Sequence, residues 1–130
     1  MLSDYPAMPV LAVTALDRAR RFYEDTLGVS GGTEVPGGVM YRAGGVQFLV
    51  YTSAFAGTNR ATALSFQLPP ESFDREVEHL RRRGLEFETF VMEGVTWQDG
   101  VAVGDGMKAV WFADPDGNIL NVETGAGAPE

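Results

Sequence analysis

Apolar and polar positions in the first half of the chain predict one strand followed by one amphipathic helix. The run Val10-Leu11-Ala12-Val13 is short and apolar, as in a buried strand. A helix is predicted to begin at Asp17, because a carboxylate suits the positive end of a helix. Its apolar stripe, at i, i+3, i+4 and i+8, consists of Ala19, Phe22, Tyr23 and Leu27. Gly28 is predicted to end this helix as a left-handed cap.

Three further strands are predicted after this helix, because apolar runs rich in β-formers alternate with glycine pairs. They are Thr33 to Val35, Val39 to Ala43 and Val46 to Tyr51. The polar, glycine-containing segment from Thr52 to Arg60 then reads as a connection between two halves.

The second half repeats the order of strand, helix and strands. A strand is predicted from Ala63 to Leu68, and Pro69-Pro70 stops it and begins a helix that ends at Gly84. The buried face of that helix is predicted to be Phe73, Val77 and Leu80. The strands predicted after it are Leu85 to Val91, Lys108 to Ala113 and Ile119 to Glu123. The remaining segments are a loop or hairpin at Trp97 to Asp105, a turn at Asp114 to Asn118 and a frayed tail at Thr124 to Glu130.

This internal repeat predicts an α+β fold made of two βαβββ modules that together form a cupped mixed sheet. We expect a single domain with module one at about 8–52, a connection at about 53–61 and module two at about 62–124.

Composition narrows the functional classes. The 130 residues are 45% hydrophobic, which is enough for a core, and no run of about 18 apolar residues predicts a transmembrane helix. The net charge of −8 argues against nucleic acid and anionic membranes as partners. The absence of Cys excludes disulfides and thiolate chemistry, and the N-terminus does not resemble a signal peptide, so a cytoplasmic location is expected.

Two segments carry a resemblance to a known family. The first segment resembles the first-helix signature of the vicinal oxygen chelate superfamily, which comprises glyoxalases, bleomycin-resistance proteins and extradiol dioxygenases. Its sequence is Leu16-Asp17-Arg18-Ala19-Arg20-Arg21-Phe22-Tyr23-Glu24-Asp25-Thr26-Leu27-Gly28. Phe112-Ala113-Asp114-Pro115-Asp116-Gly117-Asn118 is similar to its last-hairpin signature. The resemblance covers nearly the whole chain and implies the same fold, whereas functions within this superfamily are diverse.

The resemblance also implies positions for a divalent metal, and this chain departs from most of them. The first ligand position falls at Met8 and the one that opens the second half at about Ala63, neither of which can hold such an ion. The last position, usually Glu, falls at Asn121, and the remaining one is matched only by Gln47. Glu123 lies on the same strand face as Asn121 and is a conceivable shifted ligand.

No metal or cofactor is therefore predicted. The one histidine, His79, lies on the polar side of the second predicted helix and is interpreted as a solvated surface residue. No paired-carboxylate site, catalytic triad or phosphate loop can be assembled from the sequence.

A pocket for an organic molecule remains possible without a metal, since such pockets are mostly apolar with a few polar groups. The candidate ligand-binding residues are Tyr41, Phe48, Phe55, Trp97, Trp111 and Asn121. Trp97 lies in a polar stretch, where an indole is either a stacking surface or a lid packed on the core. Trp111 is interpreted as a pocket or interface residue, whereas Tyr41, Phe48 and Phe55 are individually more typical of plain core or interface residues.

Three functions remain open. The first is a metal-independent protein that sequesters a cationic or aromatic antibiotic or metabolite, as the resemblance to bleomycin-resistance proteins implies. The second is a lyase, isomerase or dioxygenase with an atypical site, such as Gln47 with Glu123. The third is a structural or regulatory homodimer. A homodimer is expected under all three, because open sheets have edges that need covering.

Overall fold

The computed structural model describes residues 1–124, and the rest of the predicted tail, 125–130, lies outside that range. The chain divides into two compact units. The first unit comprises Met1–Arg60 together with Pro115–Asn118, and the second comprises Ala61–Asp114 and the strand that begins at Ile119.

The first unit contains the predicted order of one strand, one helix and three strands. A 3₁₀ turn at Leu2–Asp4 precedes β1 (Val10–Val13), α1 (Leu16–Arg20), β2 (Ser30–Val35), β3 (Gly38–Ala43) and β4 (Val46–Thr52). The four strands form a sheet in the order β1-β4-β3-β2, in which β1 is parallel to β4 and the other pairs are antiparallel. The helix predicted from Asp17 to Leu27 is α-helical only to Arg20 and continues as a π-helical segment, Arg21–Thr26.

The core of the first unit contains the predicted helix stripe only in part. Ala19 and Tyr23 are buried, whereas Phe22 and Leu27 are intermediate in exposure. The ring of Tyr23 packs against those of Tyr41 and Phe48 with centroid distances of 5.9 and 6.0 Å. The helical region ends before Gly28, whose φ of 73° is the left-handed conformation predicted for it.

The second unit contains one helix and five strands. These are β5 (Thr62–Gln67), α2 (Pro70–Arg82), β6 (Val95–Gln98), β7 (Val101–Gly104), β8 (Met107–Ala113) and β9 (Ile119–Thr124). The sheet order is β5-β9-β8-β7-β6, with β5 parallel to β9 and the remaining pairs antiparallel. The predicted buried face of α2 is confirmed, since Phe73, Val77 and Leu80 are its buried residues.

The strand predicted at Leu85 to Val91 is wrong. This segment makes one isolated bridge, Glu88 with Trp111, in which the amide of Glu88 donates to the carbonyl of Trp111 at 2.8 Å. Strand β7 pairs with β8 only as far as Ala109. The Glu88–Trp111 bridge forms on the same edge of β8, beyond the residues that pair with β7. The segment predicted as a loop or hairpin, Trp97 to Asp105, belongs to a β6–β7 hairpin whose turn residues, Asp99 and Gly100, have φ values of 51° and 80°.

The turn Pro115–Asn118 belongs to the first unit although the strands on either side of it belong to the second. Oδ1 of Asp116 accepts hydrogen bonds from the Thr14 amide at 3.1 Å, the Thr14 hydroxyl at 2.6 Å and Arg18 Nη2 at 3.0 Å. Asn118 Nδ2 donates to the carbonyl of Ala12 at 2.8 Å. The turn is thus bonded to the start of the first helix.

Two mixed sheets with few helices confirm the predicted α+β class. Neither helix in the described part of the chain has the length and hydropathy needed to cross a bilayer.

Candidate functional site

The two faces of the second sheet differ in what they carry. Lys108 Nζ contacts Asp74 of α2 at 3.3 Å, so the face of β8 that carries Lys108 is turned toward the helix. Side chains alternate along a strand, and Ala109 and Trp111 therefore lie on the opposite face, which we call the open face.

Strand register places a row of polar and aromatic residues on the open face. Trp111 pairs with Asn121, and Asn121 pairs with Ser65. In the neighbouring row, Glu123 lies between Ala109 and Gln67. Because paired residues share a face, these side chains project from the same side of the sheet.

Three aromatic rings form a cluster on the open face, which we call the aromatic cluster. The ring of Phe90 lies 5.4 Å from that of Trp97 and 4.9 Å from that of Trp111, both edge to face, and the two indoles are 6.1 Å apart. The small buried residues Ala102 and Ala109 pack with Trp111 and Trp97. Trp111 is 8% exposed, whereas Phe90 is 43% exposed and offers apolar surface.

Beside the aromatic cluster lies a polar cluster of Ser65, Gln67 and Glu123. Gln67 Nε2 donates to Glu123 Oε1 at 2.7 Å and to the Ser65 hydroxyl oxygen at 2.6 Å. Ser65 Oγ lies 3.2 Å from the same carboxylate oxygen, to which it donates. Within residues 1–124, no Lys, Arg or His pairs with Glu123.

Two buried acceptors on the open face have no hydrogen-bond donor among the described residues. They are Gln67 Oε1 and Asn121 Oδ1, and Asn121 is only 3% exposed. A buried acceptor without a donor costs about 1–3 kcal/mol, so such groups usually have a partner such as water, an ion or a ligand. The open face therefore combines apolar rings with acceptors that lack donors.

The predicted ligand-binding residues separate into two groups. Trp97, Trp111 and Asn121 lie together on the open face of the second sheet. Tyr41 and Phe48 are buried in the core of the first unit against Tyr23, where they offer no surface to a ligand. Their assignment is corrected to core residues, because their faces of β3 and β4 are turned to the helix. Phe55 is 79% exposed in the loop after β4, outside the aromatic cluster.

Sequence reasoning missed Phe90, Ser65 and Gln67. Phe90 was assigned to a strand that does not form. Ser65 and Gln67 alternate along β5 and align with Asn121 and Glu123 through parallel pairing. That pairing was the available signal, since the first and last strands of the second module were both predicted.

A second polar group lies in the first unit, where its side chains are hydrogen-bonded to one another. Arg20 Nε donates to Glu24 at 2.7 Å, Arg20 Nη1 to Glu34 at 3.0 Å, and the Tyr41 hydroxyl to Glu24 at 2.8 Å. The bonds from Arg20 and then from Tyr41 lower the pKa of Glu24, while burial and the bond to Glu24 raise the pKa of Tyr41. These contacts join the π-helical segment to β3 and β2 and serve stability.

Stability is expected to depend on the ionisation of Glu24. Its folded pKa lies below its unfolded value, so its contribution is present above the unfolded pKa and is lost as pH falls through the folded pKa. Urea unfolding of Glu24→Gln should show a lower free energy of unfolding than wild type at pH 7, and this deficit should shrink as pH falls below the unfolded pKa of about 4.3 and through the lowered folded pKa. Asp25→Asn, at an exposed neighbouring position, is the control. A deficit that stays constant from pH 7 to pH 3 would contradict this assignment.

Comparison with known proteins identifies the family. The family model of the Glyoxalase/Bleomycin resistance protein/Dioxygenase superfamily matches residues 6–122. The chain belongs to this superfamily. No protein of curated function matches its sequence.

Solved structures of this superfamily share the fold. The fosfomycin resistance protein FosX from Mesorhizobium loti is 17% identical, with a TM-score of 0.65 and coverage of 94% of this chain and 92% of that one. Lactoylglutathione lyase from Agrobacterium tumefaciens is 20% identical, with a TM-score of 0.64 and coverage of 96% and 99%. Oxidase ChaP-H1 is 20% identical, with a TM-score of 0.66 and coverage of 92% and 96%. Identities this low establish the fold and leave the activity open.

The residues of this glyoxalase-superfamily chain do not fit the divalent metal that the family implies. Within residues 1–124, no group of three His, Cys, Asp or Glu side chains could hold an ion. In the second unit, Ala63 has no donor atom and Asn121 offers only an amide oxygen. In the first unit, Met8 and the exposed Gln47 occupy the corresponding positions. His79 lies on α2, with Nδ1 3.9 Å from Glu76.

Proposed function

We propose that this chain is a metal-independent small-molecule binding protein of the glyoxalase/bleomycin-resistance type. In this proposal it sequesters an aromatic or cationic antibiotic or metabolite. The observation that carries the proposal is the aromatic cluster of Phe90, Trp97 and Trp111 on the open face. Edge-to-face rings with one exposed member form a surface on which another ring can pack.

Charge supports the same proposal. The chain has a net charge of −8, and the carboxylate of Glu123 lies on the open face without a cationic partner in the described residues. A negative field attracts cationic ligands and repels anionic ones. We include in the proposal a cytoplasmic location and a homodimer, because each sheet ends in strands with an unpaired edge.

Replacing Trp97 by Ala is expected to weaken binding of an aromatic ligand by about 1 kcal/mol or more, roughly fivefold in Kd. The test begins with a thermal-shift panel of cationic aromatic antibiotics, small oxo-acids, thiol conjugates and divalent metals. The best binder is then titrated calorimetrically into wild type and Trp97→Ala. A ligand that binds the native state raises its melting temperature.

The matched control is Tyr5→Ala, which removes an exposed aromatic ring of the first unit. It should leave the Kd unchanged, and light scattering on the same samples measures the state of assembly. Equal affinity of Trp97→Ala and wild type would remove Trp97 from the site. A panel in which no aromatic compound binds would refute the proposed function.

One feature of the open face supports the alternative function, a lyase, isomerase or dioxygenase with an atypical site. Glu123 is a carboxylate held by two neutral donors on the open face, which is the kind of group a proton-transfer step requires. Stabilisation by a divalent metal in the same panel, with a stoichiometric metal in protein purified without chelators, would favour this alternative.

A further inference from the structure

The polar cluster on the open face contains a carboxylate without a counter-charge. Both donors that reach Glu123, the Gln67 amide and the Ser65 hydroxyl, are neutral. Among the residues that the structure describes, Glu123 takes part in no ion pair. A half-buried carboxylate is most favourable when a cation lies beside it.

The side-chain amide of Gln67 has a fixed orientation. Its Nε2 lies 2.7 Å from the Glu123 carboxylate, and the flipped arrangement would set two oxygen acceptors against each other. Gln67 Oε1 is therefore the amide atom that remains, and it is buried with no donor from residues 1–124. A second acceptor close to the carboxylate is thus available to a ligand.

A third acceptor lies one row away. Asn121 precedes Glu123 by two residues on β9, so both project from the open face, and Asn121 Oδ1 is also buried with no donor in the described part of the chain. The cross-strand neighbour of Asn121 is Trp111, whose Nε1 already donates to the Thr62 hydroxyl at 3.1 Å. Trp111 thus offers no donor to a ligand, and the ring faces of the aromatic cluster to which it belongs attract cations.

A protonated amine fits three acceptors and one negative charge beside an aromatic cluster. An anion is repelled by all of them, and a hydroxyl group supplies one donor and no charge. A protonated amine supplies up to three N–H donors and the missing positive charge. A divalent ion would need further charged ligands, which are absent from this face in the described residues.

We infer that Glu123, Gln67 Oε1 and Asn121 Oδ1 form a subsite for a protonated amine. The inference rests on the proposed function, since the aromatic body of the same ligand packs on Phe90 and Trp97. Asn121 stands where the family resemblance implies a metal ligand, and in this chain that position accepts an N–H group in place of an ion. The chain therefore selects aromatic amines over aromatic alcohols and acids.

Three probes that differ at one end test this selectivity: 2-phenylethylamine, 2-phenylethanol and 3-phenylpropanoate. Their dissociation constants for the whole chain are measured by isothermal titration calorimetry at pH 7. We expect the amine to bind at least tenfold more tightly than the alcohol, and the acid to bind most weakly. Glu123→Gln should lower the affinity for the amine about tenfold and leave that for the alcohol unchanged. Glu86→Gln, an exposed carboxylate of the same unit, is the matched control.

Asn121→Leu separates recognition from folding. It removes an acceptor that has no donor among residues 1–124, so the variant should fold at least as stably as wild type. Its ratio of amine to alcohol affinity should nevertheless fall severalfold. A residue with a purely structural role would change the melting temperature and leave that ratio constant.

The outcomes are distinguishable. Equal affinities for amine and alcohol, unaffected by Glu123→Gln, would overturn the amine subsite and leave the proposed function standing. If none of the three probes and none of the panel compounds binds, both the subsite and the proposed function fail. Stoichiometric binding of Mn²⁺, Ni²⁺ or Zn²⁺ that is lost in Glu123→Gln would overturn the inference in favour of a metal.

Discussion

Asp116→Ala is expected to lower the free energy of unfolding by about 3 kcal/mol, one of the largest effects of any polar substitution in the chain. The side chain of Asp116 is only 4% exposed, and its Oδ1 accepts three hydrogen bonds, one of them from the Arg18 guanidinium. Alanine leaves the Thr14 amide and hydroxyl without their acceptor at the start of α1. Asp116→Asn keeps an acceptor but loses the charge, so about half of that loss is expected.

Urea unfolding checks this prediction with two probes. Circular dichroism reports on both units, whereas the two tryptophans, Trp97 and Trp111, report on the second unit alone. Asp25→Ala, an exposed carboxylate in the same helical region, should stay within about 0.5 kcal/mol of wild type. A similarly small effect of Asp116→Ala would show that these bonds contribute little. Separate midpoints for the two probes would mean that the variant loosens the first unit by itself.

The hydrogen bonds of Asp116 join the two segments that resemble the family signatures. Arg18 belongs to the first-helix signature, and Asp116 and Asn118 belong to the last-hairpin signature, nearly a hundred residues later. The sequence indicated only a turn at Asp114 to Asn118, whereas the structure shows long-range bonds from Thr14 and Arg18 to Asp116. No local sequence pattern could predict these long-range bonds, because a turn motif determines only the conformation of its own backbone. It does not determine which other segment of the chain the turn contacts.

Local periodicity predicted most elements of the fold. β1 agrees with its prediction at both ends, and β4, β8 and β9 differ from theirs by one residue at one end. These segments combine a strong apolar pattern with glycine or proline boundaries, which makes strand and turn signals agree. Glycine also ended both helical regions at the predicted positions, Gly28 and Gly84.

The sequence-based predictions were wrong where strand pairing or contacts between elements determine the structure. The segment from Leu85 to Val91 is rich in β-formers, yet a strand needs a ladder of paired residues, and this segment makes a single bridge to β8. The change from α to π geometry begins at Arg21, in a segment whose Glu24 bonds to Tyr41 on another element. Neither feature is visible in a sequence window.

The candidate site was predicted in part for the same reason. Alternation along a strand shows that neighbouring residues face opposite ways, but it does not show which face meets the helix. Trp111 and Asn121, both named as candidates, pair across β8 and β9, while Tyr41 and Phe48 were named as candidates although they face the core. The polar cluster was missed because its residues come together only through the β5–β9 register.

Trp111→Ala is expected to destabilise the second unit by about 3–5 kcal/mol, in contrast to the binding defect expected of Trp97→Ala. Trp111 is buried against Ala102 and Ala109, so truncation leaves a cavity that these small residues cannot fill. Its Nε1 also loses the hydrogen bond to Thr62, which Trp111→Phe tests separately at a cost of about 1–2 kcal/mol.

Urea unfolding monitored by circular dichroism measures both variants, and the fluorescence of the remaining Trp97 follows the aromatic cluster. Thr62→Val is the control for the hydrogen bond, since it removes the acceptor and keeps the size of the side chain. If Trp111→Ala unfolds like wild type but fails to bind aromatic amines, Trp111 is a ligand contact and the cluster is a pocket wall. If it is strongly destabilised and Trp111→Phe retains binding, Trp111 is the packed base on which Phe90 and Trp97 are held, and ligand recognition belongs to those two rings and the polar cluster beside them.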